Sequence, residues 1–164
     1  MHRRVRAIGF FAVTAVAAAC RHPRPFGDVP GAADGRTTAI FTLRAAECDG
    51  NLSALTVFDL PAVRAGVVLA GVALVDGDSA EPRLRAQMRA YDVTAPVLRL
   101  AADTRDSIGR LTAGLGPTIL VLERGRRDLT VLRAPHNVTQ LQDVEDSLVA
   151  IAARAPHLGR GPRS

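Results

Sequence analysis

Two cysteines, Cys20 and Cys48, are the candidate nucleophiles of this 164-residue chain. Cys48 follows the apolar run Thr38–Leu43 and a short loop, and precedes Leu52, Leu55, Leu60 and Val63 at helical spacing. That pattern predicts a strand, a loop and a helix, with the thiol at the helix N-terminus. A thiol so placed faces unpaired backbone N–H groups and the positive end of the macrodipole, which favours the thiolate. Arg44 adds positive charge, whereas Glu47 and Asp49 flank the sulfur and oppose the anion. Each effect is on the order of 1 kcal/mol, so they roughly cancel. A dithiol centre needs a second sulfur, and Asn51 stands in its place. Two readings stay open. Cys48 is a monothiol nucleophile, forming mixed disulfides or a sulfenic acid resolved by a partner thiol. Or it is a small apolar core residue with no chemistry.

The elements that must position Cys48 follow in order. Ala39–Leu43 reads as a central strand buried on both faces. Pro61 should kink or end the helix after Cys48, and Gly66 closes it. Val67–Val75 is continuous and apolar, as in a buried parallel strand. Asp76–Asp78 is a loop, and Ser79 is placed to cap a helix with Glu81 and Pro82 in its first turn. Leu84, Met88 and Tyr91 or Ala90 give that helix its apolar face. Pro96–Leu100 reads as a short strand with proline at its start. Asp103–Gly114 reads as a helix capped by Asp103 or Thr104, with Ile108 and Leu111 buried. Thr118–Leu122 and Asp128–Leu132 flank a glycine-containing turn and form a β-hairpin. Asn137 or Thr139 opens a last helix, with Leu141, Val144, Leu148 and Ile151 at helical spacing, stopped by Pro156. No repeat is visible. The order β-α-β-α-β-α-β-β-α implies an α/β fold: a central, mostly parallel sheet, a C-terminal antiparallel hairpin and helices on both faces.

Residues 1–19 have a basic start (Arg3, Arg4, Arg6), an apolar stretch and the small residues Ala17–Ala19, ending at Cys20. This is a secretory leader, too short for an ordinary membrane span. Cysteine directly after small residues resembles the bacterial lipoprotein signal, which implies a lipidated Cys20 as first mature residue. Ala17 stands where that signal usually has leucine. Plain secretion or an uncleaved anchor are the other readings. All three carry the domain out of the cytoplasm, into the periplasm or onto the outer surface. Removing the three leader arginines from the net charge of +5 leaves +2. The folded part is thus near neutral, and no basic patch with interleaved aromatics points to nucleic acid. Proline and glycine in residues 20–36 make a tether of roughly 50 Å at full extension. Residues 154–164 are expected to be a disordered tail.

Over residues 37–153, the element order resembles the thioredoxin-like superfamily. Cys48 comes after the first long strand, and Gly116-Pro117-Thr118 opens the hairpin. With Tyr91–Leu98 leading to Gly116–Gly125, the chain looks like membrane-tethered thioredoxin-like and peroxiredoxin-like bacterial proteins, which carry an extra strand and helix between the halves of the fold. The resemblance implies a cis Gly116–Pro117 bond facing Cys48. Asn51, Gly116, Pro117 and Thr118 would then surround the thiol. It also implies thiol–disulfide or peroxide-linked activity, although the family's C-x-x-C appears here as Cys48-Asp-Gly-Asn51. Glu47 replaces the usual tryptophan, and the upstream pattern of a peroxidatic cysteine is absent.

The remaining candidates are weaker. His136 has no obvious cysteine or carboxylate partner and reads as a loop histidine; His22 and His157 fall in the two ends. Asp76, Asp78 and Glu81 lack the spacing of an EF-hand and read as a solvated loop with a helix cap. Asn51-Leu-Ser and Asn137-Val-Thr fit a glycosylation pattern that carries little weight behind a bacterial leader. No metal site and no cofactor is expected. Two functions follow: a lipid-anchored redox protein acting through Cys48 on disulfides or oxidants, with an envelope protein thiol as its partner, or a non-catalytic module binding an extended segment of another envelope protein beside Pro117. A small-ligand binder using the same groove ranks third.

Overall fold

The first strand, β1 (Thr37–Leu43), is buried along its whole length because alternate side chains enter two different cores. Ala39, Phe41 and Leu43 point into one, and Ile40 into the other. The computed structural model describes residues 36–48, 52–123 and 129–154. The leader, Cys20, most of the tether, Asn51, the hairpin turn and the tail from residue 155 lie outside them.

A strand with two cores needs a neighbour on each side. One is β2 (Val67–Leu74), parallel to β1, and the other is β4 (Thr118–Leu122), antiparallel to it. Short β3 (Val97–Leu98) lies parallel on β2, and β5 (Leu129–Arg133) antiparallel on β4. The order across the sheet is β3-β2-β1-β4-β5. The sheet is therefore mixed rather than mostly parallel. The expected hairpin forms, but β4 lies against the central strand, so two of the four strand pairings are antiparallel.

The larger core is covered by a 3-10 helix (Leu52–Asp59), α1 (Pro61–Gly66), α2 (Glu81–Ala90) and α4 (Val138–Ala153). The smaller core lies under α3 (Ala102–Leu111), through Ile108. Several local rules act as expected. Pro61 divides the second segment by starting α1 at its first position, where no N–H is needed. Asn137 caps α4, its side chain accepting from the Gln140 N–H at 2.9 Å. Others do not. The N-cap residues of α2 and α3 are Ala80 and Ala101, without side-chain caps, so Ser79, Asp103 and Thr104 do not serve. Leu111 is 49% exposed because α3 ends there, and Tyr91 is 51% exposed just past α2.

Gly71 lets β3 approach. It has φ +158°, and a Cβ there would collide with the carbonyl oxygen of Pro96 and with Leu98. That carbonyl accepts the Val72 N–H at 2.8 Å. The pairing register of β1 on β2 slips beside it, between Ala39 and Ile40.

Candidate functional site

After Leu43 the chain leaves the carboxyl end of β1 in one tight turn. Ala45–Glu47 form a 3-10 helix, and Cys48 closes it with its N–H on the Ala45 carbonyl. Cys48 is thus at the end of a short helical turn and not at the start of an α-helix; the next described helix is 3-10, and α1 waits until Pro61. Among the described residues no α-helix begins at the sulfur, so no macrodipole of one is aimed at it.

Two ties hold this turn. The Ala45 N–H lies 3.0 Å from both carboxylate oxygens of Asp76, in the loop after β2. The Arg44 guanidinium donates to the Gly109 carbonyl at 3.0 Å, so Arg44 faces α3 rather than the thiol. The sulfur donates to the Arg44 carbonyl at 3.7 Å. Cys48 is 1% exposed and packs in the larger core with Leu52 and Leu55. Its pKa is raised above the ordinary thiol value. Burial is the main cause; Asp76 and Glu47 add to it, and Arg83 opposes it. The protonated, unreactive form is favoured.

Gly116, at φ +72°, adopts a conformation that suits glycine. The Gly116–Pro117 bond is trans, contrary to what the family resemblance implies; every described peptide bond is trans. Pro117 is buried, and its carbonyl accepts the Ala134 N–H at 3.0 Å. Thr118 pairs with Thr42 in the sheet, and their hydroxyls meet at 2.6 Å. Strand register therefore brings Thr118 to the end of β1 from which the Cys48 turn departs. The two hydroxyls alternate onto the α3 side with Ile40 and Leu120, while Cys48 joins the opposite core. No hydrogen bond joins Cys48 to Gly116, Pro117 or Thr118; its sulfur bonds Arg44 instead.

The acids after β2 are engaged by protein groups. Glu81, 7% exposed, accepts from Arg85 at 2.8 Å and Arg99 at 2.9 Å. Those bonds, Arg99 first, hold its pKa below the usual carboxylate value. Asp78 accepts from Arg105 at 3.0 Å. Among the described residues no three His, Cys, Asp or Glu side chains are grouped to hold a metal ion. His136 is exposed, and its backbone N–H donates to the Gln140 side-chain oxygen at 2.8 Å.

One feature is not visible from the sequence pattern. An open groove of about 330 Å³ lies between the 3-10 helix Leu52–Asp59 and the segment Tyr91–Ala95. Its apolar lining includes Leu55, Phe58, Leu69 and Val93. The cue for its rim is Asp92, an aspartate just beyond a helix end, where left-handed backbone is common.

Comparison with protein-family models, with curated protein sequences and with solved structures finds no match to this chain. Among the described residues no helix is long and apolar enough to cross a membrane.

Proposed function

We propose that residues 37–153 are a thioredoxin-like module that has lost redox turnover and binds an extended segment of another envelope protein, held at the membrane by lipid on Cys20. The observation that carries this reading is the sealed thiol. Cys48 is 1% exposed, hydrogen-bonded to its own turn and pushed toward its neutral form. A nucleophile needs the reverse: an accessible, stabilised thiolate. Cys48 is also the free cysteine of the described residues, and Asn51 occupies the position of a resolving thiol. The fold part of the proposal is supported by the element order. The unit β1–β2 and the unit β4–β5–α4 are separated by α2, the short edge strand β3 and α3; α2 and β3 stand where an inserted helix and strand would, and α3 is the crossover to the hairpin.

The test is reduction of insulin disulfides with dithiothreitol as electron donor. The full-length protein and its Cys48→Ser variant should be equally inactive, and Cys48→Ser should leave partner binding intact. Turnover that depends on Cys48 would overturn the proposal and restore the monothiol reading. Mass spectrometry of the mature N-terminus tests the anchor, and an unmodified Cys20 would remove it.

A further inference from the structure

We infer that the groove between the 3-10 helix Leu52–Asp59 and the segment Tyr91–Ala95 holds an extended peptide, which lays an apolar side chain on Leu55 and Val93 and sets a lysine or arginine against Asp92. The inference rests on the binding-module reading and moves the contact from Pro117, which is buried, to an open surface.

Three observations meet there. The first is shape. The groove is partly open to solvent, unlike the enclosed pockets that bury most of a small molecule's surface. It suits a chain that passes through. Thr94 and Ala95 form part of its wall just before β3, and neither makes a main-chain bond to another described residue outside the sheet ladder. A peptide adding to a sheet edge needs such free amides and carbonyls.

The second is charge. Asp59, Arg64 and Asp92 are the charged residues of the lining, and Asp59 already pairs with Arg64. Asp92 has no side-chain partner among the described residues. The charge left without an ion-pair partner in the lining is thus an exposed carboxylate, which favours a cationic neighbour at low salt. Tyr91 beside it is 51% exposed and offers an aromatic face to the same cation.

The third is backbone. Asp92 has φ +54° and ends α2 in a double turn: its own N–H bonds the Arg89 carbonyl, and the Val93 N–H bonds that of Met88. Glycine is the residue that position favours, having no Cβ to crowd the carbonyl. Aspartate tolerates the same backbone, and the turn fixes its exposed carboxylate at the mouth of the groove.

The experiment starts from a displayed library of random heptapeptides, selected on the immobilised full-length protein. Enriched sequences should carry Lys or Arg beside alternating apolar residues. The strongest is then titrated into labelled full-length protein, with amide NMR shifts as readout. Shifts should centre on Leu55, Tyr91, Asp92 and Thr94. Asp92→Asn keeps a residue tolerant of the left-handed backbone, and should weaken binding about threefold to fivefold at low salt. That difference should close at about 0.5 M salt. Ser53→Arg, on the exposed rim, should block the groove without touching the core. Shifts confined to β5 or Pro117 would overturn the groove assignment and leave the module reading standing. Enrichment of acidic peptides, or hexylamine binding as tightly as the selected peptide, would also overturn it. No enrichment at all would remove both.

Discussion

Iodoacetamide should label Cys48 at least about 100-fold more slowly in the folded protein than in concentrated urea. A Cys20→Ser background leaves one thiol to follow. The reagent must reach a sulfur that is 1% exposed, so it waits for residues 44–48 to lift off. Lifting breaks the Ala45–Asp76 and Arg44–Gly109 bonds, each with a charged partner, at about 1.5 kcal/mol apiece. The sum, about 3 kcal/mol, corresponds to roughly two decades in rate. The raised pKa closes the alternative route, attack on the sulfur in place: an ordinary thiol with pKa about 8.5 is only about 3% thiolate at pH 7, and Cys48 in its buried setting is pushed higher still. Asp76→Asn weakens the tie and removes an anion that disfavours thiolate, so labelling should accelerate about tenfold. The raised pKa also fixes a sign. Cys48 contributes stability below the unfolded thiol's pKa, and that contribution is lost as pH rises through the folded value; Cys48→Ala should flatten the alkaline loss. A folded-state rate within tenfold of the urea rate, or an Asp76→Asn variant that labels no faster, would refute the reasoning.

Gly71→Ala should cost about 2–3 kcal/mol, since the new Cβ meets a backbone carbonyl that cannot yield without breaking the Val72–Pro96 bond; a lower urea midpoint at unchanged slope is the readout. Asn137→Ala should cost about 1 kcal/mol in the same assay through loss of the α4 cap. Glu81, with its folded pKa lowered by Arg99 and Arg85, contributes stability above the unfolded value of about 4.3 that is lost as pH falls through the folded one. Thermal melts of Glu81→Gln across that range should show a shallower acid loss than the parent, and parallel curves would show the ion pairs to be idle.

The central strands were legible because their chemistry is local. Residues 39–43, apolar but for Thr42, and the continuous apolar run 67–75 become β1 and β2. Asn137 announces α4 by a cap three residues before the N–H it accepts. Pro61 was legible as a boundary but not as a beginning, because a proline ends one helix and starts another by the same missing N–H. What stayed hidden depends on distant partners. That β4 would lie against β1 is a pairing across 76 positions, marked in the sequence by two unremarkable threonines, Thr42 and Thr118. The environment of Cys48 is similar. Sequence neighbours suggested Arg44 as its cation, but the fold turns Arg44 toward Gly109 and brings Arg83 and Asp76 into range. Leu111 fits a helical stripe on paper, yet α3 stops before it finds a core. The groove beside Asp92 arises where two non-adjacent segments fail to close, which no local pattern encodes.

The placement of β1 has a consequence for how the polypeptide is made. Its first flank is supplied by Val67–Leu74, its second only by Thr118–Leu122. As the chain emerges N-terminus first, from a ribosome or across a membrane, the sheet's middle rung is therefore half-built while some 40 further residues follow, with apolar Ala39, Phe41 and Leu43 beside an open ladder of amides and carbonyls. Nascent chains released before Leu122 should be the sticky ones, and a holdase that shields extended apolar backbone should matter most in that interval.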